Sequence, residues 1–305
     1  MLVTILILIF TLLVVPFVSF NYGTPLTDLQ ETILWDSSYI LIAAAAACFI
    51  VGELARNNSQ VDKLWSIMPI PYSWYITYAG GWDNRMILMS ILVTIWGVRL
   101  SLNFARRGGY SIKFWEGEED YRWEVLRQRP GFNHKAVWFI FNLFFICGYQ
   151  MTLIYLFTLP VLTGLSKAAP ALMWADYLLA VLFIFFVIIE TLADQQQWVF
   201  QTEKYRRINA NEDLGDYAHG FIRTGLWGKM RHPNYMAEQA IWIVFYCFSI
   251  VATGQPINWS IAGALLLLIL FKSSSDFSEN LTTKKYPEYK EYQKTVPRFF
   301  PFTKW

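Results

Sequence analysis

Charge is scarce in this chain. Of its 305 residues only 16% are Asp, Glu, Lys or Arg, against about 25% in an ordinary soluble domain. The scarcity argues against a water-soluble globule, and a formal net charge of +2 gives no basic surface for nucleic acid. Histidine is nearly absent: His134, His219 and His232 are scattered, which argues against a His-built metal centre. Cys48, Cys147 and Cys247 each lie inside an apolar run. They lack the spacing of a disulfide framework or a metal site and read as small packing residues. There is no G-x-G-x-x-G, no P-loop and no H-E-x-x-H, so the dinucleotide, nucleotide and zinc-peptidase signatures are all missing.

Long apolar runs are what the chain has. Hydrophobic residues make up 55%, and a membrane span needs roughly 20 of them in succession. Eight spans are expected, at 2–20, 37–55, 65–80, 86–105, 136–160, 174–193, 237–252 and 257–272. The first has neither a basic leader nor a small-residue cleavage site, so it reads as a helix and not a signal peptide. The 14 Trp and 17 Tyr suit the two membrane–water interfaces. The expectation is an all-α, polytopic helical bundle forming one membrane domain over 1–305. Residues 1–36 make an N-terminal span and outer loop, 37–305 the helical core, and 273–305 a tail that folds back over the inner face.

The charges that exist are one-sided. With the N-terminus inside, the inner segments are 56–64, 106–135, 194–236 and 273–305. Together with Lys272 at a boundary they hold 22 of the 25 basic residues, as the positive-inside rule asks. Arg85 and Lys167 fall in outer loops.

A charge within a bilayer costs about 2.5–3.5 kcal/mol on insertion scales, so those retained there are candidates for function. They are Glu53, Arg99, Glu190, Asp194 and Glu238. Glu53 is at a helix end, where a bland reading prevails. Glu190, Asp194 and Gln197 recur at helical spacing and share one face, suited to ribose hydroxyls or a carboxamide, or to a helix end that is simply becoming wet. The densest constellation is 225–238, GLWGKMRHPNYMAE. Pro233 suits a first helical turn. Arg231 and His232 before it offer an anion site, and Asn234 and Glu238 continue one face into the membrane. An amphiphilic cofactor fits that gradient, with its diphosphate at the interface and its reactive head deeper. Arg99 and Asn103 are similarly paired on the fourth span, while Arg106 and Arg107 read as topology markers. Asp62, just before the third span, could donate a hydrogen bond to a carbonyl if burial raised its pKa, or cap that helix.

GLWGKMRHPNYMAEQ resembles the cofactor motif of the steroid 5-alpha-reductase superfamily, especially its DUF1295-type branch. VDKLWS, WGVRLSLNFARR, EEDYRW, ETLADQQQ and the KYPEYKEYQ–VPRFFP tail resemble that branch in the same order, from about residue 40 onwards. The resemblance implies an all-helical membrane reductase that takes NADPH from the cytosolic or matrix side. It would reduce a carbon–carbon double bond conjugated to a carbonyl in a steroid or other lipid. By motif, Asn234 and Glu238 would hold the nicotinamide end, with Arg231, His232 and Tyr235 beside it. Asp194 and Gln197 would line the pocket, Arg122 and Arg207 would lie near phosphates, Arg99 would join the cofactor-binding set, and Glu279 would approach from the tail. Asp62 falls at the family's catalytic acid. The family's tyrosine position falls on Trp96, which lacks a phenolic proton.

RHPNY is also similar to SAM-dependent isoprenylcysteine and phospholipid methyltransferases, whose Glu-Glu pair before the tail is here SENL. Trp96 keeps a third reading open, a catalytically degenerate subunit of a membrane complex. The partners implied are membrane lipids, a hydrophobic lipid substrate and membrane-complex partners, in an endoplasmic reticulum, mitochondrial or bacterial inner membrane.

Overall fold

The computed structural model describes residues 25–166 and 171–301, with 13, 14, 17 and 21 besides. Among the described residues the chain is helical, with no strand. The helices are α1 (Asp28–Ala55), α2 (Gln60–Ile67), α3 (Pro69–Ala79), α4 (Asn84–Ala105), α5 (Tyr121–Arg127), α6 (Lys135–Phe141), α7 (Gln150–Thr158), α8 (Trp174–Asn209), α9 (Pro233–Thr253), α10 (Ile261–Lys285) and α11 (Tyr289–Thr295). A π-helical segment, Asn142–Tyr149, joins α6 to α7, and a 3-10 segment, Leu159–Leu165, follows α7.

Six of these elements are long and apolar enough to cross a bilayer: α1, α4, the rod Lys135–Leu165, α8, α9 and α10. An integral membrane protein is the reading they support. The expected span at 65–80 is not one helix. It falls on α2 and α3, of 8 and 11 residues, which meet at Pro69, where the missing N–H interrupts the ladder. The expected span at 2–20 and the loop residue Lys167 lie outside the described residues, apart from the isolated positions 13, 14 and 17.

Local chemistry sets the ends. Thr27 and Gln30 form a reciprocal capping box that starts α1 nine residues before the apolar run alone suggests. Asp83 caps α4 by accepting from the N–H groups of Arg85 and Met86. α8 runs past its apolar part into charged sequence, where Glu203 accepts from Arg206 and Arg207 one turn on.

The chain divides into two compact units. One comprises the described residues up to Ala180 together with Phe245–Leu266; the other comprises Val181–Val244 and the residues from Leu267. In the first unit, Tyr72 and Ile76 of α3 and Met86, Met89, Val93 and Trp96 of α4 are wholly buried. Hydrophobic transfer adds little where lipid replaces water, so tight packing has to hold such helices together. Gly97 shows how tight: a Cβ there would stand 2.6 Å from the Ser66 carbonyl oxygen. The π segment brings its own backbone comparably close, since a Cβ on Gly148 would stand 2.9 Å from Leu143 O. By contrast, α1 buries only 11% of its apolar window. Its exposed Trp35, Tyr39, Ile42 and Leu54 make a face that suits lipid and not water.

Arg85, expected in an outer loop, is 1% exposed. Its Nε and Nη2 donate to the two carboxylate oxygens of Asp176 at 2.8 and 2.9 Å, and Nη2 also donates to Ala171 O. This forked pair ties α4 to the start of α8 within the first unit.

Candidate functional site

In the second unit, α8 presents Glu190, Asp194 and Gln197 along one face, and α9 presents Asn234 and Glu238. The Nδ2 of Asn234 donates to Asp194 Oδ1 at 3.2 Å, and Glu238 Oε1 accepts from Trp242 Nε1 at 3.1 Å. Glu190, Asp194 and Glu238 are 4%, 4% and 3% exposed. Gln197 Oε1 is shielded from solvent and accepts no hydrogen bond among the described residues. A sheltered acceptor of this kind is costly to leave unmet, which makes it the observation most suggestive of a missing donor. Gly225 locks the approach to this row. Its φ is +61°, and a Cβ there would stand 2.6 Å from Gln196 Oε1. That oxygen accepts from Leu226 N at 3.0 Å, and Trp227 Nε1 donates to Ala193 O.

Arg231 and His232 turn the other way, into a clamp around Glu279. Arg231 Nε donates to Glu279 Oε1 at 2.7 Å and Nη1 to the carbonyls of Gln293 and Val296. His232 Nε2 lies 2.9 Å from the same carboxylate oxygen; a carboxylate only accepts, so the imidazole donates. Gln293 and Arg298 donate to Glu279 Oε2 at 2.8 and 3.1 Å. Arg298 also pairs with Asp276. The backbone N–H groups of Arg231 and His232 donate to Pro297 O and Arg298 O. Burial holds the imidazole below its ordinary pKa, against the upward pull of Glu279. A neutral histidine leaves two guanidinium groups facing two carboxylates. The basic pair expected to hold diphosphate is thus charge-balanced by the returning tail. Tyr235 stacks on His232 at 5.1 Å and meets Phe271 edge-on.

The remaining expected residues are placed as follows. Arg207 near the end of α8 donates to Glu203 and Asp213 O and lies 4.9 Å over the Tyr217 ring. In the first unit, Asp62 accepts from Trp123 Nε1 at 3.0 Å and from Arg122 Nη2 at 3.4 Å. Arg122 is itself held by Asp120 at 2.7 Å. Burial is the largest influence on Asp62 and raises its pKa, with Arg122 opposing. Arg99 is half-buried on α4, and Trp96 lies edge-on to Phe157. Arg122 and Arg207, expected near phosphates, both have internal carboxylate partners. Three residues that sequence reasoning passed over prove structural. Lys204 is 5% exposed and donates to Gly220 O, Gln196 holds the loop, and Arg298 shares the clamp. Arg298 lies in the quoted VPRFFP and Gln196 in the quoted DQQQ, so both were within reach as motif members.

The sequence was compared with known families and proteins. The model of the family described as "Protein of unknown function (DUF1295)" matches residues 48–296. The chain belongs to the DUF1295 family. It is also 37% identical over 276 residues to uncharacterized protein C594.04c of Schizosaccharomyces pombe, covering 83% of this chain and 77% of that protein. No solved structure matches. The DUF1295 match takes in Asp62, the α8 row, and Arg231, His232, Glu279 and the tail as far as Val296, and stops short of Arg298.

Proposed function

We propose that this DUF1295 protein is an integral membrane oxidoreductase that uses NADPH to reduce a carbon–carbon double bond conjugated to a carbonyl in a steroid or other lipid. The observation that carries the reading is the row of buried Asp194 and Glu238, half-buried Asn234 and the shielded oxygen of Gln197. Amide and carboxylate groups in an apolar setting suit a carboxamide and ribose hydroxyls, and Gln197 Oε1 has the capacity to accept from a carboxamide N–H. NADPH, when bound, would supply the hydride. Asn234 and Glu238 would orient the nicotinamide end, with Gln197 accepting from it. Asp62, assigned through the resemblance to the steroid 5-alpha-reductase superfamily, would donate a carboxyl proton, a role favoured by the burial that raises its pKa. It would aim that proton at a carbonyl oxygen gaining negative charge. The arginines fit the phosphate end less well, since Arg122, Arg207 and Arg231 each have a carboxylate partner.

The same reading keeps one membrane domain with eight spans. Segment 2–20 and the α2–α3 pair complete the count, and the basic segments face the cytosol or matrix of an endoplasmic reticulum, mitochondrial or bacterial inner membrane. A second reading, a degenerate subunit, draws on Trp96, whose wholly buried indole stands where the resemblance expects a phenol. Titration calorimetry of the purified protein in lipid nanodiscs, with NADPH and separately with S-adenosylmethionine, tests these readings. NADPH binding is expected. Binding of S-adenosylmethionine alone would establish the methyltransferase alternative, and binding of neither the structural one.

A further inference from the structure

A cavity of about 630 Å³ opens in the first unit. It lies where the C-terminal turn of α1, helix α5 and the start of α6 come together. Glu53, Glu124, Arg127, Lys135, Trp138 and Phe139 line it. Both α1 and the rod beginning at Lys135 are of membrane-spanning length. Glu53 is two residues from the end of one and Lys135 begins the other, an arrangement that suits headgroup level.

Its charges are arranged in opposed pairs. Arg127 lies 5.0 Å over the Trp138 ring and its Nη2 donates to Glu119 at 2.5 Å and to Asn58 Oδ1 at 2.8 Å, so its charge is answered from within. Lys135 makes no ion pair among the described residues and is exposed. The same lining holds two carboxylates. Glu53 is held in place by Asn142, a wholly buried amide whose Nδ2 donates to Oε1 at 2.7 Å. Asn142 opens the π segment, and such segments recur where a helix serves a site. The other oxygen of Glu53 accepts nothing among the described residues. Glu124 receives only a long 3.4 Å bond from Gln128.

One cation without an ion pair among the described residues, two carboxylates and an aromatic wall do not suit a polyanion or an anionic headgroup, which the carboxylates would repel. They suit a zwitterion: a phosphate on Lys135 and an ammonium between Glu53 and Glu124. An ammonium with three N–H donors satisfies carboxylate acceptors that a quaternary amine leaves unmet. Below the cavity, Phe49 and Phe139 close the floor edge-on at 5.1 Å. Exposed Ile50, Leu54 and Ile140 give acyl chains an apolar path beside it.

We propose that this cavity is a binding site for a phospholipid with a phosphoethanolamine headgroup, independent of any reductase activity. The test is native mass spectrometry of the protein equilibrated in micelles with equal amounts of phosphatidylethanolamine, phosphatidylcholine and phosphatidylglycerol of matched chains. Preferential retention of phosphatidylethanolamine is expected. Lys135→Gln and Glu53→Gln should each lower it about fivefold, the effect of losing one partly exposed charged contact. Both side chains are exposed, and circular dichroism of each variant checks that helix content is kept. Equal retention of phosphatidylcholine would show that the carboxylates do not read the amine and would overturn the proposal. So would a preference for phosphatidylglycerol, or retention unchanged in both variants.

Discussion

Two clusters grow from the same eight residues, RHPNYMAE, and they have opposite character. Around Glu279 both carboxylate oxygens are met: Arg231, His232, Gln293 and Arg298 surround one carboxylate that is 3% exposed. Along the α8–α9 row, Asp194 meets Asn234 and Glu238 meets Trp242, yet Gln197 keeps a shielded oxygen without a donor among the described residues. Saturation marks a part that holds the fold, and an unmet acceptor marks a part that has something left to bind. Residues two or three apart in a motif can therefore serve different ends, because a helix start sends its flanking side chains to one neighbour and its first turn to another.

The contrast can be broken by substitution. The largest effect is expected at Glu279→Gln, which leaves two guanidinium groups short of a counter-charge in a buried setting. Removing one member of such a cluster costs about 3–5 kcal/mol, read as a lowered midpoint in thermal unfolding of the purified protein in micelles. An unchanged midpoint would mean that the clamp holds nothing. Next is Glu238→Gln, which retains an oxygen for Trp242 and removes the charge. NADPH affinity should fall about tenfold, the effect of losing one charge-assisted hydrogen bond, while the unfolding midpoint stays close to that of the parent. Unchanged affinity would remove Glu238 from the proposed site.

Asp62 lies between the two extremes, having partners that do not outweigh its burial. Its folded pKa is raised above the ordinary 3.8, so the folded chain keeps a proton that the unfolded chain releases first. The contribution to stability is then full below pH 3.8 and declines as pH rises through the folded value. Asp62→Asn should flatten that part of a melting-temperature profile against pH, and an unaltered slope would assign it to another group. The smallest effect is expected at Lys294→Ala. Its pair with Glu291 is exposed on both sides, 69% and 73%, so stability should shift by less than about 0.5 kcal/mol. A large shift there would show that exposure is a poor guide to which clusters matter.

Much of the fold was legible in the sequence because a bilayer asks for length and apolarity, and both are local properties. The expected 86–105 and α4 differ by two residues at one end. Segment 65–80 misled because apolar content was weighed without Pro69, whose missing N–H divides the run. The site was legible only along one helix at a time. The spacing of Glu190, Asp194 and Gln197 gave a shared face, but the partner of Arg231 lies 48 residues away and the carbonyl of Val296 lies 65 away. Nothing in the local pattern announces such a pairing. The π segment was equally hidden, since no periodicity of the sequence sets Asn142–Tyr149 apart from the helices it joins.

The tail that meets Arg231 and His232 also sets an order of events during synthesis. Chains emerge from the N-terminal end and fold in that direction. When α9 enters the bilayer, the carbonyls of Gln293, Val296, Pro297 and Arg298 that complete its threshold have not yet been made. For that interval Arg231 carries its charge at the membrane surface with no partner from the tail, as an ordinary topology signal. It becomes part of the clamp only when the tail arrives.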